Sequence, residues 1–179
     1  MSQFIPEITT RITVNVDTSE LDTALSVIES DEILSDIPSL IDEVETRKDR
    51  LLSLKEPVGK AVAEQLSSNQ ENIISSKHYI TGMMSNSVDI MNDGDDFLVG
   101  NTAESVDGFP YPLAIEKGTR SHWVEPNTFD ALHWFDDDGE HFSKGHVVGG
   151  IIPDPFVEPS IDDTIYDIDE IIDEVLKEL

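Results

Sequence analysis

Residues 111–126 read YPLAIEKGTRSHWVEP, and how this stretch folds decides how the second half of the chain is built. Leu113, Ala114 and Ile115 form a short apolar run that stops at Gly118, the one residue here able to take a positive φ without a Cβ clash. Thr119, Arg120, Ser121 and His122 make a polar corner. Trp123 and Val124 resume an apolar run that Pro126 closes. The pattern predicts a strand, a glycine corner and a return strand, that is, a β-hairpin or bulged turn. The stretch has no nucleophile beside a base, no phosphate-binding loop and no metal-ligand spacing.

Upstream, residues 11–16 (RITVNV) alternate, with Ile12, Val14 and Val16 on one face of a half-buried strand. Thr18 or Ser19 is placed to cap a helix running to about Ser30, with Leu21, Leu25 and Ile28 on one side. Pro38 opens a longer helical stretch with Leu40, Ile41, Val44, Leu51, Leu52 and Leu54 in a loose apolar stripe. Pro57, lacking an N–H, divides it. The second half runs to about Ser76, with Val58, Val62, Leu66 and Ile73 or Ile74 inward, a core-packing face. After a loop punctuated by Gly82, residues 88–91 and 97–100 are strands joined by the turn signal Asn92-Asp93-Gly94-Asp95.

Downstream, residues 131–135 (ALHWF) predict a strand, Asp136-Asp137-Asp138-Gly139 an acidic turn, and residues 141–148 a continuation of the same sheet. Ser160 is placed to cap a helix to Leu179, with Ile161, Ile165, Ile168, Ile171, Ile172, Val175 and Leu179 on one stripe and Asp162 and Asp163 near the positive N-terminus. The expected architecture is α+β: a small antiparallel β-sheet, a long N-terminal helix packed on one face, and a C-terminal helix. Three segments follow: 1–57, an N-terminal strand and helical extension; 58–160, the core; and 161–179, a C-terminal amphipathic helix.

The chain has 179 residues, with 38 Asp and Glu against 11 Lys and Arg, a net charge of −27. Such a chain repels a nucleic acid backbone, although it is suited to lining a passage through which DNA slides without adhering. Adaptation to molar salt also makes a protein acidic, because salt screens the self-repulsion. A disordered acidic tail is disfavoured, since the acids are spread among Ile, Leu and Val. Cysteine is absent, which removes disulfides, thiolate metal sites and thiol nucleophiles. No apolar run approaches the ~20 residues of a membrane span, and no secretory signal is visible, so an aqueous compartment is expected.

His122, His133, His141 and His146 fall close together among neighbouring strands, with Glu140 beside them. Imidazoles are common metal ligands, so a zinc-dependent hydrolase is one expectation. Against it, no pair has HExxH spacing, and alternation sends His133 and Trp134 to opposite faces. The acidic turns at 92–96 and 136–139 lack the alternating ligands and terminal glutamate of a calcium loop. Glu116 and Glu125 flank the glycine corner without a nucleophile nearby, and Glu116 is placed to pair with Lys117 or Arg120. Trp123, Trp134, Phe135, Phe142 and Phe156 supply core or an interface anchor.

Three blocks together resemble the head–tail joining family of tailed viruses, whose members are neck or tail-completion proteins. The first, residues 79–88 (YITGMMSNSV), carries a Thr81-Gly82 pair followed by large apolar and serine-apolar positions. The second joins Val99-Gly100 to Tyr111 and then to Glu116, Gly118 and Thr119, with His122 and Pro126 following and Ala131-Leu132 and Trp134-Phe135 continuing the pattern. The third runs from Phe142-Ser143-Lys144 to Pro155, Phe156 and Pro159. Ser121, Asn127 and 148–150 (VGG) depart from the family's usual proline, lysine and histidine-proline-glycine.

The resemblance implies a structural virion protein with no catalytic site and no cofactor. It would form a ring of about six copies between the head connector, or head-closure proteins, and the tail tube. Genomic DNA would pass through the lumen without specific binding, and no membrane would be involved. The location implied is the virion neck, after assembly in the host cytoplasm, with a halophilic archaeal host suggested by the charge. The C-terminal amphipathic segment is a natural candidate for contact with a neighbouring subunit. The rivals are the small metal-dependent hydrolase and an acidic inhibitor that mimics DNA.

Overall fold

The computed structural model describes residues 4–31, 34, 37–77, 82–106, 108–127 and 129–178. Its centre is a three-stranded antiparallel sheet in the order β1 (Thr9–Ile12), β3 (Asp96–Asn101), β2 (Val88–Asp93). Thr9 stands opposite Gly100 and Ile12 opposite Phe97. Val88 stands opposite Asn101 and Asp93 opposite Asp96. The β2–β3 connection is therefore a two-residue turn, Gly94-Asp95, and Gly94 takes the positive φ that such a turn requires. The first strand is shorter than the alternation at 11–16 predicts. Beyond Ile12 the partner strand has already reached its turn, so Val14 and Val16 have no ladder to join, although Val14 still packs near the start of the long helix at Gly59.

Helix α1 (Ser19–Ser30) matches its expected span and buries Ile28. Its start is secured by Asp17, whose carboxylate accepts the Ser19 N–H at 2.9 Å, and Thr18 makes no side-chain cap. Helices α2 (Pro38–Ser53) and α3 (Lys55–Lys77) meet at Leu54, three residues before Pro57. That offset is the reach of the proline ring. It strikes the carbonyl four residues back, at Ser53, and offers it no N–H, so the ladder breaks there and not at Pro57 itself.

Helix α3 packs across all three strands of the sheet. Ala63 and Leu66 meet Phe97 and Val99 in one buried cluster. Close approach depends on Gly59: a Cβ there would stand 2.9 Å from the Phe97 ring. A second cluster joins Ile5, Ile8, Ile74, Met84 and Phe156, so the extreme N-terminal segment, the end of α3 and the distant 150s share one core.

The stretch at 111–117 is helical. Tyr111–Lys117 forms α4, with Pro112 in its first turn and Gly118 at its C-terminus with φ 72°. The expected strand is overturned because Tyr111, Ala114 and Ile115 have i, i+3, i+4 spacing, and Leu113, Ala114, Glu116 and Lys117 are good helix formers. Tyr111 and Ile115 pack on the second cluster, where burial pushes the Tyr111 hydroxyl above its usual pKa. The return strand exists, as β4 (His122–Val124), but it pairs with β7 (His146–Val148) and not with 113–115. The 131–148 region likewise does not extend one sheet. β5 (Leu132–Asp136) and β6 (Gly139–Ser143) form their own hairpin, and β7 belongs to the β4 ribbon.

The C-terminal segment is two helices, α5 (Val157–Tyr166) and α6 (Ile168–Glu178), divided at Asp167. The start lies three residues before Ser160, which is buried and donates its hydroxyl to the Val157 carbonyl at 2.7 Å. Asp162 and Asp163 therefore sit mid-helix, and Glu158 is the acid in the first turn. The inward stripe of α5 runs through Ser160 and Thr164, small residues that let the helix approach α3, where Asn69 donates to Thr164 Oγ1 at 3.0 Å. Ile165, expected inward, is 62% exposed. Both α5 and α6 pack on α3, and Ile171 is buried there, so most of the apolar stripe expected to meet a neighbouring subunit is covered within the chain. Leu179 lies outside the described residues. Among the described residues no helix is long and apolar enough to cross a membrane.

Candidate functional site

The residues singled out in the second and third blocks converge through their backbones. Glu116, near the end of α4, aims Oε2 at the start of α5, where it accepts the N–H of Phe156 at 2.8 Å and of Val157 at 3.2 Å. The carboxylate thus sits on the positive end of a ten-residue helix, which is where the helix dipole favours it. The expected pairing of Glu116 with Lys117 or Arg120 is replaced by this cap. The Asp154 N–H donates to the Ile115 carbonyl, and the Thr119 N–H to the Ile151 carbonyl, both at 2.9 Å. Thr119 Oγ1 in turn accepts the Ile151 N–H at 3.0 Å. Gly118 lies beneath this seam, where a Cβ would meet the Ile151 carbonyl and Pro153 at 2.7 Å. The seam seats Phe156, which is fully buried, while Pro155 is exposed and Pro159 half-buried.

The remaining singled-out residues fall elsewhere. Gly82 has φ 73° and its carbonyl accepts from Asn86 N and Ser85 Oγ, holding the turn that enters β2. Thr81 lies outside the described residues. His122 is exposed on β4, with Nδ1 3.2 Å from the Arg120 carbonyl. Pro126 lines a cleft of about 670 Å³ together with Phe129, Leu132, His133 and Phe142.

That cleft belongs to the outer face of the β5–β6 hairpin. Cross-strand pairing sets His133 opposite Phe142 and Phe135 opposite Glu140. The His133 imidazole stacks on Phe142 with centroids 4.6 Å apart, meets Phe135 edge-on, and reaches Glu140 Oε1 at 2.9 Å. Yet this face is open: Phe129 is 81%, Phe135 69% and Phe142 66% exposed. The inner face carries Trp134, stacked on His141 with centroids 5.3 Å apart and tilted against His146 at 4.7 Å. His141 is hydrogen-bonded to Asp136 at 2.8 Å, and this bond holds the Asp136 carboxyl below the usual carboxylate range. The pleat therefore divides the imidazoles between two faces. Among the described residues no group of three or more His, Asp or Glu is placed to hold a metal ion.

The aromatic residues seen as core or anchor thus separate. Phe156 is core, Trp134 is half-buried, and Phe135, Phe142 and Trp123 face solvent. Phe129 escapes a reading by periodicity because it lies in a loop, outside any strand pattern. No family model, no curated protein and no solved structure matches this chain.

Proposed function

We propose that this chain is a structural subunit that assembles into a ring at the neck of a tailed virus, joining the head connector to the tail tube and performing no chemistry. The observation that carries this is the outer face of the β5–β6 hairpin, where Phe129, Phe135 and Phe142 are exposed together. A contiguous aromatic patch of this kind on a chain of net charge −27 marks an interaction surface, because isolated monomers seldom leave one uncovered. The likeness of the three blocks to head–tail joining proteins supports the viral role. So does the seam from Glu116 and Thr119 to residues 151–157, which makes one structural unit of two of those blocks. The excess of acids supports a lumen through which DNA passes without adhering, and a salt-rich host.

The test is to purify the chain in molar KCl, measure its mass by light scattering and image it by electron microscopy. A closed ring of about six copies is expected, as is the presence of the chain in the neck of particles. A monomer at every salt and protein concentration, together with absence from particles, overturns the proposal.

A further inference from the structure

A groove of about 730 Å³ runs between α1 and α2, lined by Leu21, Leu51 and Leu54 with Arg47, Arg50 and Ser53. In a chain with only 11 Lys and Arg, two arginines on one apolar groove set it apart from the acidic surface around it. Arg47 is held by Glu43, one helical turn away on the same helix. Arg50 has no carboxylate partner among the described residues. The same chain carries a surface of opposite character. The β5–β6 hairpin ends in Asp137-Asp138, with Phe135 and Phe142 exposed on its flank. Because those rings face solvent, the hairpin does not fill the groove of its own subunit.

We infer that the β5–β6 hairpin of one copy docks in the α1–α2 groove of a second copy. Phe135 and Phe142 lie on the leucines, and Asp137 and Asp138 face Arg47 and Arg50. The inference rests on the self-assembly proposed above and specifies its contact. Charge favours this mode: the acidic tip meets two of the 11 basic residues of a chain that carries 38 acids, and such complementarity fixes partner and register. The contact is heterologous, one surface meeting a different one, so its repetition gives a ring where the rotation closes and an open filament where it does not, and the proposed assembly requires the closing rotation.

The test uses the full chain at the lowest salt concentration at which it is folded, because molar salt screens the charges being tested, with assembly read by light scattering and folding by circular dichroism. Arg50→Glu alone, and Asp137→Lys with Asp138→Lys, should each raise the concentration needed for assembly by about tenfold or more. Combining the three substitutions should restore assembly. Since the chain has no cysteine, Leu51→Cys with Phe142→Cys provides a clean second readout, a disulfide formed between copies. If assembly persists unchanged in the charge variants, or the combination fails to restore it and no cross-link forms, the docking is overturned while self-assembly stands. The groove would then be open to an acidic segment of another virion protein. If the wild-type chain never assembles, both ideas fall.

Discussion

Glu116 Oε2 accepts the Phe156 N–H at 2.8 Å across forty residues of sequence, tying the last turn of α4 to the first turn of α5. One carboxylate satisfies two backbone donors that the helix itself leaves open. Glu116→Ala should destabilise the fold by about 0.5–2 kcal/mol, the range for losing a helix cap. Glu116→Gln keeps an acceptor oxygen and loses only the charge, so it should fall between wild type and alanine. Chemical denaturation monitored by circular dichroism measures both, and an alanine variant as stable as wild type would remove the cap from the account.

Gly118 closes α4 at φ 72°, with the Ile151 carbonyl 2.7 Å from the place of its missing Cβ. Gly118→Ala asks an L-residue to hold φ 72° with ψ 173°, a region that glycine alone occupies readily, at a cost of about 1–3 kcal/mol before the collision with Ile151 and Pro153 is counted. The thermal midpoint should drop accordingly. An unchanged midpoint would mean that the seam between 118–119 and 151–153 is not rigid.

Arg11 on β1 bridges both carboxylates at the β2–β3 turn, Asp93 at 2.6 Å and Asp96 at 2.8 Å. Its hydrogen bond, more than any other contact, holds Asp96 below the usual carboxylate range. A depressed carboxylate contributes stability that is fully present above its unfolded pKa of about 3.9 and is lost as pH falls through the lower folded value. Arg11→Met should therefore reduce stability at neutral pH and flatten the loss below about pH 4. Denaturant midpoints measured from pH 7 down to pH 2 would reveal it. Parallel curves for the two proteins would contradict it.

Gln70 is fully buried on α3, and neither its Oε1 nor its Nε2 has a hydrogen-bonding partner among the described residues. A buried polar group left unpaired costs about 1–3 kcal/mol. Gln70→Met, similar in length and without the amide, should raise stability by part of that amount. A loss of stability would show that the amide is solvated.

With 38 acids against 11 bases, the folded chain repels itself. Raising KCl from 0.01 to 1 M shortens the screening length from about 30 Å to about 3 Å, so the thermal midpoint should climb over that range even as exposed pairs such as Lys55–Asp95 weaken. A midpoint that is flat or falling with salt would oppose adaptation to a saline cytoplasm.

Much of the architecture was legible in the chain. The 88–101 hairpin is announced by its Asn-Asp-Gly-Asp turn, α1 by its apolar spacing, and the helical break by Pro57. What misled was local ambiguity. Residues 111–117 fit a strand by their apolar run and a helix by the spacing of Tyr111, Ala114 and Ile115, and a seven-residue window does not choose between them. Ser160 and Thr164 were invisible as core because a hydrophobic pattern passes over small polar residues, which bury well when they pair with their own helix.

From the order of its residues alone, the chain settled its charge, its freedom from cysteine chemistry and its α+β composition. These follow from local propensity and side-chain type. Only the tertiary structure decided that Glu116 caps a helix forty residues away, that β4 finds β7, that the histidines part to two faces, and that Phe135 and Phe142 remain outside. Each of those depends on which distant segments come into contact, and short-range periodicity does not encode long-range pairing.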